Sequence, residues 1–257
     1  MLAHQHSFGV ALPALENRLE TFVQKFDEFD VLTSEGNYLQ AREIVISLNH
    51  ESQQTFDYIN DVPTILTELQ VKLPGAVQEL RSGQREMEDQ SYYLQHLELT
   101  EALNKFEEEF KTLKNELAEL NLTDVKPRVA EINEEIDRFY DLLEKEVIAK
   151  NYVDQNCDRL LSSITNVITS TRLVSDEATY VQQSYHLNEK DAEIPKAALK
   201  QLEALQRRYE LLAMRVKEEK SAYSSLQEEL IEISEELERI HEEQGHLSNT
   251  MKKTSYR

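Results

Sequence analysis

The 257-residue sequence has no tryptophan, five glycines, five prolines and one cysteine. Sparse turn residues and aromatics, with 30% of positions charged, are the composition of long helices and coiled coils. Rod-like helical bundles have thin cores and large charged surfaces, so they need few large rings. The single cysteine, Cys157, excludes an internal disulfide framework and fits a reducing compartment. There is no signal peptide and no run of about 18 apolar residues, which excludes a membrane span within these residues. A basic face is also missing. The formal charge is -21, with acidic and basic residues mixed along every segment, so sequence-independent nucleic-acid binding has no footprint. The one basic cluster, Lys252, Lys253 and Arg257, reads as a solvated chain end.

What is present is apolar periodicity. From Asp124 to His186 an unbroken stripe runs through Val129, Ile132, Ile136, Phe139, Leu143 and Val147 into Val153, Cys157, Leu160, Ile164, Val167 and Val174. One helix of that length would reach roughly 90 Å at 1.5 Å per residue. It therefore reads as a strut shared by two bundles, with Cys157 as a small core residue.

Before the strut, the spacing predicts a helix over 11–32 with Leu12, Leu15, Leu19, Phe22, Phe26 and Phe29 on one face. Gly36 suits the left-handed residue past its end, and Asn37 with Gln40 resembles a capping box. The second helix meets Pro63 and Pro74, yet its stripe continues through Leu66, Leu69, Leu73, Ala76, Leu80, Gly83, Met87, Gln90, Leu94 and Leu97. That predicts a bent but nearly continuous element. Turns are expected at 96–101, 120–124 and 186–189, with Thr100, Thr123 and Asn188 as N-caps. Between the first two, Leu103, Phe106, Phe110, Leu113 and Leu117 form the middle helix of an antiparallel three-helix bundle. After Pro195 another long helix carries Leu205 to Ile240 in heptad register, interrupted at Glu219; its last thirty residues have no following partner, as if cut within a repeat.

The expected fold class is all-α, an elongated set of spectrin-like three-helix-bundle repeats joined by long shared helices. The expected divisions are a partial repeat over 1–73, a complete three-helix repeat over 74–150 and a C-terminally incomplete repeat over 151–257.

Enzyme chemistry finds little support. Glu238-Arg-Ile-His241 and Glu243-Gln-Gly-His246 match half of a di-iron bundle motif, but both lie on one helix and face different directions. His4 and His6 read as terminal surface. No glycine-rich phosphate loop and no Gly-x-Ser-x-Gly elbow occurs. Paired carboxylates such as Glu228-Glu229 sit on solvated faces. No catalytic, metal-binding or cofactor-binding residue and no cofactor is assigned, and the chain is expected not to be an enzyme. Phe139-Tyr140 and Tyr92-Tyr93 put rings on adjacent helical directions, so one of each pair must leave the core face. Arg138, Tyr140 and Lys145 are the candidate partner-binding residues.

Four runs carry a resemblance. They are Gly36-Asn-Tyr-Leu-Gln-Ala-Arg-Glu-Ile44, Val62-Pro-Thr-Ile-Leu-Thr-Glu-Leu-Gln-Val-Lys-Leu-Pro74, Tyr93-Leu-Gln-His-Leu97 and, most specific, the run from Ile136 to Val153. Together they resemble the septation ring formation regulator EzrA family of low-GC Gram-positive bacteria. The resemblance implies an N-terminal membrane anchor outside these residues and a cytoplasmic arch of spectrin-like repeats at the division septum. It implies action on the tubulin-like protein FtsZ, restraining extra rings, and scaffolding of division and wall-synthesis proteins. The family's C-terminal Gln-Asn-Arg patch has no match; Gln155-Asn-Cys-Asp158 is not that motif. The chain itself is expected to be soluble and monomeric. The alternative reading is a parallel coiled-coil tether or filament, which would have doubled mass and no folded-back turns.

Overall fold

The computed structural model describes residues 2–184 and 189–255, and among them every regular element is a helix. A 3₁₀ segment, Leu2–Ala11, leads into α1 (Leu12–Ser34) and α2 (Tyr38–Thr67). A π-helical stretch, Glu68–Lys72, joins α2 to α3 (Leu73–Asp89). After a link containing the 3₁₀ turn Gln95–Leu97 come α4 (Leu99–Ala118), α5 (Leu122–Ser184), α6 (Glu189–Glu218) and α7 (Tyr223–Ser255). The chain divides into two compact units: Met1–Arg85 with Glu98–Asp141, and Glu86–Leu97 with Leu142–Arg257.

The expected strut is a single helix, α5, of 63 residues, and it contributes to both units. Pro127 lies in its second turn, just past the amides that have no partner within the helix, so α5 forgoes one backbone hydrogen bond there. Its stripe differs from expectation near its end, where Thr171 and Ala178 are buried and Val174 only partly so, and again at its middle. Val147 faces outward, whereas Glu146 and Ala149 are buried. Pattern reading assigns a carboxylate to the surface by default, and this one is taken inside.

In the first unit the turn at Gly36 forms as the sequence predicts. Gly36 has φ of 80°, and the Asn37 and Gly36 amides donate to the Leu32 and Thr33 carbonyls at 2.8 and 3.1 Å. This is a Schellman closure. Asn37 does not cap the backbone; its amide donates instead to the Gln40 side chain at 2.7 Å. Thr100 and Thr123 do not cap either, because α4 starts at Leu99 and α5 at Leu122. Asn188 and the turn at 186–188 lie outside the described residues.

The π stretch answers the proline question. Pro74 has no N–H, and in an α-helix its ring would press on the carbonyl four residues back. The wider turn relieves that contact, with the Leu73 amide donating to the Glu68 carbonyl five residues earlier. It also shifts the buried stripe, which runs Leu66, Leu69, Leu73, Val77, Leu80 and so takes Val77 in place of Ala76. Beneath it, Gly9 at φ 45° sits so close to Leu66 that an added Cβ would lie 2.7 Å from its Cδ2. A side chain there would have to displace the end of Leu66 and would be strained by the positive φ.

Helix α3 stops at Asp89 instead of carrying the stripe to Leu97. Ser91 takes φ of 67°, and the Tyr92 amide closes on the Met87 carbonyl at 3.0 Å. Helices α3, α4 and the start of α5 pack with Leu73, Val77 and Leu80 against Leu103, Phe106 and Phe110, and with Ile132 and Ile136. Arg81 reaches Glu107 at 3.0 Å, and Phe106 meets Phe139 edge-on at 6.5 Å. Arg128 bonds Glu109, Glu131 and Glu135; burial opposes its charge, but the three carboxylates outweigh burial and raise its pKa.

In the second unit the long helix expected after Pro195 is two helices. Glu219 adopts φ of 53° and ends α6, and α7 packs back along it. The final thirty residues therefore have a partner, namely α6. Leu202, Leu205 and Leu212 of α6, Leu226, Leu230, Ile233 and Ile240 of α7, and Val153, Leu160 and Ile164 of α5 form the core. Arg208 and Arg215 of α6 pair with Glu232 and Glu229 of α7.

Candidate functional site

The candidate residues on α5 occupy different surroundings. The Tyr140 hydroxyl donates to Glu79 Oε2 at 3.1 Å and approaches the Ala76 carbonyl at 3.5 Å. Burial and then the Glu79 carboxylate raise its pKa above the usual tyrosine value. At 100° per residue Arg138 leaves the helix about 200° from Tyr140, exposed to solvent. Lys145 belongs to the second unit, is exposed, and faces Glu228 at 3.8 Å. The structure thus brings Tyr140 to Glu79 and Lys145 to Glu228, and it points Arg138 and Tyr140 in different directions. Of the aromatic pairs, Phe139 turns inward beside Tyr140, and Tyr92 is buried beside half-buried Tyr93.

A polar cluster that pattern reading missed lies in the second unit. Glu146 is only 2% exposed. Its Oε2 accepts from the Ser224 amide at 3.2 Å, and its Oε1 lies 3.4 Å from His96 Nε2. Ser224 is in the first turn of α7, whose amides have no partner within the helix. Glu146 therefore caps α7 from α5 while holding the link through His96. Around it Tyr92 packs edge-on against Tyr223 at 5.5 Å, and the Lys150 ammonium lies 5.3 Å from the Tyr223 ring centre. Burial raises the Tyr223 pKa, with Lys150 opposing. The signal was in the register: Leu143, Glu146, Ala149 and Val153 are evenly spaced core positions, one of them acidic.

Cys157 is half-buried, and burial pushes its thiol pKa up, away from the reactive thiolate. Its carbonyl accepts from the Tyr209 hydroxyl at 2.9 Å, and burial raises the Tyr209 pKa strongly. Glu238 and His241 line an open cleft with Ser163, Asn166 and Ser170. No group of three or more metal-ligating side chains occurs among the described residues. The side chains of His4, His246, Lys252, Lys253 and Arg257 lie outside them. No described helix is long and apolar enough to cross a membrane. The chemistry on view is that of packing, capping and ion pairing.

The sequence pattern of the family described as "Septation ring formation regulator, EzrA" matches residues 1–256. The chain is 37% identical over 238 residues to the septation ring formation regulator EzrA of a Geobacillus species, covering 93% of this chain and 42% of that protein. The Geobacillus kaustophilus relative is 39% identical over 223 residues, covering 87% of this chain and 39% of the relative. The Staphylococcus epidermidis relative is 28% identical over 249 residues, covering 97% and 44%. The chain thus spans about two fifths of the length of these relatives. No solved structure matches. With the match running through both helical units, the chain belongs to the septation ring formation regulator EzrA family, a family of cell-division regulators.

Proposed function

We propose that this chain is a non-catalytic part of a division regulator that restrains FtsZ ring assembly and links division proteins at the septum. The observation that carries this reading is the family match over nearly the whole chain. The helical architecture suits it: α5 runs 63 residues and serves two compact units, which makes it a spacer that presents side chains along a long path. In this reading the repeats are spectrin-like, divided over 1–73, 74–150 and 151–257. The longer protein works on the cytoplasmic side of the cell membrane, held there by an anchor outside these residues. The region around Arg138, Tyr140 and Lys145 is the first place to look for a partner surface.

Light scattering of FtsZ assembling with GTP, with and without an excess of the folded chain, tests the proposal. Reduced or unbundled polymers place regulatory contacts within these units, and Tyr140→Ala is then the first variant to make. Unchanged assembly with the folded chain removes FtsZ restraint from these units and leaves them a spacer. The turn back at Glu219 lets α6 and α7 bury their stripes within the chain, so a monomeric mass is expected. A doubled mass would favour the coiled-coil tether.

A further inference from the structure

The α1–α2 hairpin has one polar and one apolar side. On the polar side Arg18 donates to Thr55 and Gln54, each at 3.0 Å, and Lys25 donates to Ser47 at 2.9 Å and pairs with Glu51. These contacts fix which flank of each helix faces that way. The opposite flanks, rotated past the line through Leu15, Leu48 and Thr55, carry Val23 and Phe26 on α1 and Tyr38, Val45 and Phe56 on α2. These five are between 48% and 69% exposed. Those on α2 span about 27 Å at helical rise, with Val23 and Phe26 alongside, and exposed apolar side chains gathered on one face in this way mark an interaction surface. In the second unit the corresponding side of the α6–α7 pair is covered by α5; here no described residue covers it.

The rim of this face has one sign of charge on the α1 side. Glu16, Glu20, Asp27 and Asp30 follow each other along that edge, all exposed and with no ion pair among the described residues. The α1 cations, Arg18 and Lys25, are already engaged on the far side, and Arg42 of α2 lies at the opposite edge, beside Tyr38 and Val45. A second copy of this chain, with its net charge of -21, would bring a strongly acidic surface to this acidic edge. We propose that this face is a docking groove for an amphipathic helix of a separate partner protein, apolar along one seam and rich in lysine or arginine along the flank that meets α1. Apolar anchors at helical spacing supply the contact, and the acidic rim selects the partner and its orientation. The proposal is independent of any action on FtsZ.

The test uses the 257-residue chain and two fluorescent helical peptides of about 20 residues with the same leucine seam. One has lysines along a flank, and the other has glutamates at the same positions. Fluorescence anisotropy should show the lysine peptide binding at least ~10-fold more tightly at low salt, with the gap narrowing at high salt. Phe26→Ser with Val45→Ser, which changes no charge, should weaken lysine-peptide binding ~10-fold or more while the circular dichroism spectrum stays helical. Glu20→Gln with Asp27→Asn should shrink the lysine-over-glutamate preference. Leu211→Ser, at an exposed leucine on α6, should leave binding unchanged. Equal binding of both peptides, or binding indifferent to the Phe26 and Val45 changes, overturns the proposal. So does sedimentation showing a dimer that Phe26→Ser dissociates, since the occupant would then be a second copy.

Discussion

The hairpins α1–α2 and α6–α7 carry the same heptad pattern and end differently. In α1 the expected face of Leu12, Leu15, Leu19, Phe22, Phe26 and Phe29 leaves only Leu15 fully buried, and Phe26 is exposed. In α6 and α7 the equivalent positions are buried from Leu202 to Leu212 and from Tyr223 to Ile240. The local sequence is not the cause. α6 and α7 have α5 alongside, while among the described residues the outer part of α1 and α2 has only each other. Two helices cover one stripe of each, and a third is needed to cover the flanks. Heptad spacing therefore reports which residues can be buried, and neighbours decide which are.

The largest effect that could break this comparison comes from one charge placed in each hairpin. Ile233→Asp puts an unpaired carboxylate in a fully buried site and should cost ~4 kcal/mol or more. Phe26→Asp should change stability by no more than about 0.5 kcal/mol. Denaturant unfolding of the two variants reads the difference, and equal losses would mean that the α1–α2 flank is buried after all. Next is Tyr209→Phe, which removes the bond to the Cys157 carbonyl and should cost ~1 kcal/mol at neutral pH. The folded-state pKa of Tyr209 is raised. Its contribution is complete below the unfolded tyrosine value of about 10 and lost as pH climbs through the folded value. The native protein should lose stability more steeply than the variant above about pH 10, as thermal melts across that range would show. The smallest expected effect sharpens the contrast between the turns. Glu219→Gly removes a left-handed side chain that has no need to be there and should stabilise the second unit by ~0.5–1 kcal/mol. The Gly36 turn already has this advantage.

The legible parts of the fold were those that depend on period alone. The 63-residue α5 and the buried run Leu103, Phe106, Phe110, Leu113 and Leu117 emerge directly from apolar spacing. Gly36 marked its turn because only glycine takes that φ without strain. The turn at Ser91 was hidden, and that at Glu219 showed only as an interruption of the heptad register, because residues with side chains occupy the left-handed position. The caps failed for a related reason: Thr100 and Thr123 lie one residue inside helices whose starts are fixed by buried Leu99 and Leu122. At the candidate site, Tyr140 was visible as a surplus aromatic, but Glu79 as its acceptor comes from α3 and needs the fold. Glu146 was hidden by its type, since a carboxylate in a charged chain reads as surface unless its register is weighed first.

The π stretch between Pro63 and Pro74 has a consequence for chain length. A deletion within α2 or α3 would turn every later side chain about 100° and carry Val77 and Leu80 off the core. A deletion within 68–72 would instead let the wide turn relax to an ordinary α turn and keep the downstream phase. The penalty would be confined to the ring of Pro74 pressing on the carbonyl behind it. Tolerance to loss of a residue in this helical path is thus concentrated at five positions, which act as its slack.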